Sequence, residues 1–109
     1  MADLTVQVIS LLGIIPSLAA AAVGGDAFLN SGREYLHVKN GSAASIDVTV
    51  DSVAPCNQGV DHNAIVAIAA GVEKLIGPFP KARFNDAAEK VQVTYSDVTT
   101  VTVAAVRLP

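Results

Sequence analysis

The sequence predicts an all-β protein: a single antiparallel β-sandwich, or a jelly-roll-like barrel, of about seven strands with at most one short helical turn. Three observations carry this expectation. Several runs alternate apolar and polar residues with the period of two that a half-buried strand requires. Turn residues break these runs roughly every ten residues. The apolar content is 51% of 109 residues, yet aromatics are only 5% and Trp is absent. It is therefore Ala and Val that supply it, and β-branched Val suits a pleated surface.

The elements follow in order. Leu4, Val6 and Val8 alternate with Thr5 and Gln7, which gives a first strand. Leu11 to Val23 is an apolar arm. Gly24-Gly25-Asp26 and Asn30-Ser31-Gly32 have turn chemistry, with Ala27-Phe28-Leu29 a short apolar anchor between them. Glu34 to Lys39 forms a second strand, with Leu36 and Val38 on one face and Tyr35, His37 and Lys39 on the other. Asn40-Gly41-Ser42 turns the chain into a third strand, where Ile46, Val48 and Val50 alternate with polar residues. Asn-Gly between two such runs signals a hairpin. Ala54 to Asn63 is a polar loop, and Ala64 to Ala70 a fourth strand expected to be buried on both faces. A tight join at Ala70-Gly71 leads to a fifth strand, Val72 to Gly77, ended by Pro78-Phe79-Pro80. Asn85 to Glu89 is the expected helical turn, since Asp86-x-x-Glu89 has capping-box spacing. Val91 to Leu108 holds the last two strands, joined at Ser96-Asp97, with Val91, Val93 and Tyr95 in one phase.

The chain is one domain, residues 1–109, with the first strand and the apolar arm in residues 1–25. Charged residues are 16%, so the balance opposes disorder. A net charge of −3 argues against nucleic-acid binding, which needs a basic stripe. The arm, LLGIIPSLAAAAV, has no basic residue before it and is interrupted by Pro16. It reads neither as a secretory leader nor as a membrane span, so no membrane partner is expected. Two readings stay open. Leu11, Leu12, Ile14, Ile15 and Leu18 either cover the sandwich or form an interface with a neighbouring subunit.

Candidate chemistry is sparse. Cys56 is a lone cysteine, best read as a small hydrophobe. His37, Cys56, Asp61 and His62 lack the ligand spacing of a zinc site, and no His-x-His pair exists. Cys56 with His62 is the one nucleophile–base pair available. No phosphate loop is present, because Gly24-Gly25 has neither the Lys nor the spacing. No catalytic, metal-binding or cofactor-binding residue is assigned. Phe79 sits between two prolines, and Phe28 and Phe84 lie three and four residues after Gly25 and Pro80, in loop segments where an aromatic pins a loop to the core more often than it presents a sugar platform.

The run Gly77-Pro78-Phe79-Pro80-Lys81-Ala82-Arg83-Phe84-Asn85-Asp86 is the most distinctive, and Val91-Gln92-Val93-Thr94-Tyr95-Ser96 follows it. Upstream stand Gly25-Asp26-Ala27-Phe28, Gly32-Arg33 and Tyr35-Leu36-His37-Val38-Lys39-Asn40. Together these resemble small β-sandwich proteins encoded among the virion structural genes of tailed bacteriophages, some of them head decoration (cement) proteins. The resemblance spans Gly25 to Leu108. It implies a non-enzymatic homo-oligomer that binds the major capsid protein on the outer capsid surface of the virion. It brings no catalytic residues and no cofactor. The alternatives are a tail or neck component and, from another class, a carbohydrate-binding or adhesion module.

Overall fold

The computed structural model describes residues 2–52 and 63–108. Its strands are β1 (Ala2–Asp3), β2 (Val6–Val8), β3 (Ala19–Ala20), β4 (Asp26–Leu29), β5 (Glu34–Asn40), β6 (Ile46–Val50), β7 (Ala64–Ile68), β8 (Glu73–Ile76), β9 (Lys90–Tyr95) and β10 (Val101–Arg107), with one helical turn α1 (Lys81–Phe84). Among the described residues they build two five-stranded sheets that pack as a sandwich. The first runs β1-β4-β9-β6-β7; the second runs β2-β10-β5-β8, with β3 also on β10. The all-β sandwich is as the alternation predicts. The strands beyond the expected number are short pieces: β1, β3 and the Phe28 anchor, which is itself strand β4.

The pairing is antiparallel except at the N-terminus, where β1 runs parallel to β4 and β2 parallel to β10. The expected first strand is split because it changes sheets. Leu4 and Thr5 cross between them, and the Leu4 amide still donates to the Ala27 carbonyl at 2.7 Å.

The core follows the period of two. Leu36 and Val38 of β5, Val101, Val103 and Ala105 of β10, Ile46, Val48 and Val50 of β6, and Val91 and Val93 of β9 all face inward and are buried. The interior is thus mostly Val, with three aromatics at one end. Phe79 packs between Phe28 at 5.7 Å and Phe84 at 5.6 Å, so the loop aromatics are anchors, as the nearby Gly and Pro suggest.

The turns do something that local chemistry does not specify. Strands β5 and β6 lie in different sheets, so Asn40-Gly41-Ser42 makes no hairpin. Asn40 is fully buried and staples the sheets. Its Nδ2 donates to the carbonyls of Ala44 and Ile68 at 2.8 and 3.0 Å, and its Oδ1 accepts from the Ser42 amide at 3.0 Å. The joins at Ala70-Gly71 and Ser96-Asp97 likewise carry the chain across the sandwich, so β9 and β10 do not pair with each other.

Two further expectations are corrected. Strand β7 is not buried on both faces: Ile68 is buried, but Ile65 is 66% exposed. As an edge strand it covers the core with one face only. The helical turn lies at Lys81–Phe84 rather than at Asn85–Glu89. Asn85 is drawn away from N-capping by Asn30: its Oδ1 accepts from Asn30 Nδ2, and its Nδ2 donates to the Asn30 backbone carbonyl. Asp86 instead accepts from the amides of Ala88 and Lys90 at 2.8 and 3.0 Å, a tight turn that Glu89 completes at φ 61°. The polar loop Ala54–Asn63 lies outside the described residues except for Asn63, whose Oδ1 accepts from the Ser52 amide.

Phe79→Ala should destabilise the protein by about 3–5 kcal/mol in urea unfolding, because it removes the middle ring of the aromatic stack. Gly25→Ala should also be severe. At φ 101° its new Cβ would drive into the Val93 carbonyl oxygen. Gly13→Ala, with φ 86° but open space, should lose only the left-handed backbone penalty of about 1–2 kcal/mol.

The Asp86 turn predicts a pH dependence. A hydrogen bond from the Gln92 side chain, then one from the Lys90 amide, hold the Asp86 carboxyl below its ordinary value of 3.8. Its contribution is therefore complete above 3.8 and is lost as the pH falls through the lowered value. Wild type should be more stable than Asp86→Asn near neutral pH, and the difference should close in strong acid.

Candidate functional site

The apolar arm owes its position to one strand edge. Residues 105–107 of β10 pair with β2, and residues 102–103 pair with β3 on the same side. The Ile9 amide donates to the Arg107 carbonyl, and the Ala21 amide to the Val101 carbonyl, both at 2.9 Å. That edge of β10 is then filled from end to end. The chain between Ser10 and Leu18 has no place in the sheet and leaves it as a loop.

Local bonds fix the loop's shape. The Gln7 carboxamide closes its base: Nε2 donates to the Ser17 carbonyl at 2.9 Å, and Oε1 accepts from the Ser17 amide at 2.8 Å. A side chain thereby imitates one rung of a β-ladder. At the tip, the Gly13 amide donates to the Ser10 carbonyl at 2.9 Å, and the Ser10 hydroxyl donates to the Gly13 carbonyl at 3.1 Å. Gly13 holds the positive φ that such a turn needs.

This geometry splits the predicted interface residues. Leu11, Leu12 and Ile15 are 101%, 97% and 95% exposed. Ile14 is partly covered and Leu18 half-buried. Ile14 and Pro16 face back over the outer side of the second sheet, beside Tyr35, Leu75 and Val106. Covering the sandwich thus falls to Ile14 and Leu18, while Leu11, Leu12 and Ile15 cover nothing. Two leucines at a turn tip are unusual, since polar residues and Gly normally hold such positions.

Beside the loop lies a groove of about 350 Å³, walled by Tyr35, Leu75, Ile76, Pro78 and Leu108, with Gly32 and Arg33 at its end. Tyr35 and Leu75 also border the loop at Ile14, so loop and groove form one continuous surface. Leu75 and Leu108 are 66% and 55% exposed. A buried Leu or Ile side chain removes on the order of 100 Å² from water, so the patch presents on the order of 450 Å² of aliphatic surface. That is the size of the largest apolar patch on a typical monomer, a patch that is often functional. The one sign of the groove in the sequence is Tyr35, on the strand face opposite Leu36 and Val38.

The remaining candidates do not converge. His37 Nε2 stands 3.1 Å from Glu73 Oε2 at the surface. Among the described residues no group of three His, Cys, Asp or Glu is placed to hold a metal. Cys56, Asp61 and His62 lie outside the described residues. Tyr95, in the inward phase, donates to the buried Asp26 Oδ2 at 2.8 Å. Burial, reinforced by that carboxylate, pushes the phenol well above its ordinary value. No helix among the described residues is long and apolar enough to cross a membrane.

No protein-family model matches the chain, and no curated protein or solved structure matches it significantly.

Gln7→Ala should loosen the loop without unfolding the sandwich. The expected loss is about 1 kcal/mol locally. Thermolysin cleavage within Leu11–Ile15 should accelerate about fivefold, while the thermal transition barely moves.

Proposed function

We propose that this protein is a non-enzymatic structural component of a tailed-phage virion, a decoration protein that binds the outer surface of the head shell and reinforces it. The observation that carries the reading is the built apolar loop: Leu11, Leu12 and Ile15 are held in water by Gln7, Ser10 and Gly13. Such a surface makes sense when another protein covers it. The rest of the molecule is consistent with a contact role. Its interior is packed Val and Phe, and its buried polar groups Asn40 and Glu34 are spent on turns. The resemblance over Gly25 to Leu108 supplies the shell as the partner.

A carbohydrate-binding module is less favoured. Sugar platforms need exposed aromatics, whereas Phe28, Phe79 and Phe84 are buried and Tyr95 is bonded to Asp26, which leaves Tyr35, half-buried in the groove wall, as the one outward-facing ring among the described residues. Nothing favours a tail or neck position over the head.

Reinforcement would act by mass action, through binding to the assembled lattice and not to its dissociated form. The purified protein should bind undecorated heads to saturation and raise their disassembly temperature in calorimetry. Heads that neither retain the protein nor gain thermal stability would refute the assignment.

A further inference from the structure

We propose that the leucine-tipped loop docks in the Tyr35–Leu75–Leu108 groove of a second copy of this chain, and the second copy's loop in the first groove, as a twofold dimer. This rests on the contact reading above and names the loop's partner.

Three observations carry it. The first is size. A standard interface buries about 800 Å² per partner, a little over half of it apolar. That apolar share is on the order of 450 Å², which is what loop and groove present together. Neither half reaches it alone. The second is placement. The convex loop and the concave groove stand side by side on the outer face of one sheet and share Tyr35 and Leu75 as a common border. A twofold axis through that border puts each loop against the other copy's groove, so one patch meets itself, as an isologous interface requires. The third is charge. From Leu4 to Gly25 the chain has no charged side chain. The groove walls Tyr35, Leu75, Ile76, Pro78 and Leu108 are also uncharged, and Arg33 at the groove's end is the one charged side chain in its lining. Loop and groove therefore meet as mainly aliphatic surfaces, with no like charges to bring together when the patch meets its own copy.

The preset shape matters for this contact. A flexible apolar segment would lose conformational freedom on docking. Here Gln7, Ser10 and Gly13 have already fixed the loop in the free chain.

The test uses the full chain in sedimentation equilibrium from about 1 to about 100 µM. Wild type should dimerise within this range. Leu11→Asp and Leu75→Lys should each weaken association at least about tenfold, with the thermal transition of the dilute chain unchanged. Both positions are exposed, so neither change should disturb folding. Mixing the two variants should restore a heterodimer, because one contact then pairs Asp with Lys and the other is wild type. A chain that stays monomeric throughout, or an oligomer that both substitutions leave intact, overturns the proposal. So does a mixture that fails to associate when each variant alone is monomeric. Monomers that still bind heads would sink the dimer and spare the decoration reading; dimers that bind no heads would do the reverse.

Discussion

The edge of β10 decides the rest of the structure. This strand runs through the middle of the second sheet, paired with β5 along all of Val101–Arg107 on one side. On its other side two short segments, β2 and β3, share the available backbone groups. Unpaired N–H and C=O groups on a buried strand are costly, so both segments are held where they are. The residues between them pay for that arrangement by being expelled from the sheet. Because these residues are Leu-Leu-Gly-Ile-Ile, what is expelled is apolar. The contact surface thus follows from strand pairing and composition together, without any dedicated domain.

The interior makes the exposed loop tolerable. Inward Val, Leu and Ile residues from both sheets close a core that does not depend on the loop's tip. Polar groups that are buried have specific jobs. Asn40 joins the ends of two strands in opposite sheets, Glu34 folds the Ser31–Arg33 turn, and Asn30 and Asn85 clasp each other beneath Phe79. Asp26 is one exception: its Oδ2 serves Tyr95, but its Oδ1, like Gln92 Oε1 and Arg107 Nε, is buried without a protein partner.

Much of the fold was legible because alternation is a local signal. Spacing alone puts Leu36 with Val38, Ile46 with Val48 and Val50, and Val91 with Val93, each set on a common face, and in each case that face is the buried one. The turns were legible as turns but not as connections. Asn40-Gly41 and Ser96-Asp97 specify a change of direction, while the choice between pairing back and crossing to the opposite sheet is made by distant groups such as Ile68. Strand β7 misled for a related reason: an Ala-rich apolar run does not reveal that it sits at an edge. Asp86 misled because capping-box spacing also serves a tight turn. For the candidate surface, the arm was visible as an apolar run, but its division into covering and exposed residues depends on Gln7 reaching Ser17. Leu75 and Leu108 carried no signal until pairing placed them beside Tyr35.

The central claim is that the fold holds an apolar loop rigidly in solvent, ready for contact, instead of leaving a loose segment there. Backbone ¹⁵N relaxation of the dilute chain tests this most directly. Order parameters at Leu11, Leu12 and Ile15 close to the value of about 0.85 typical of rigid backbone would agree with it. Values below about 0.6 at those residues, beside rigid neighbours in β2 and β10, would contradict it.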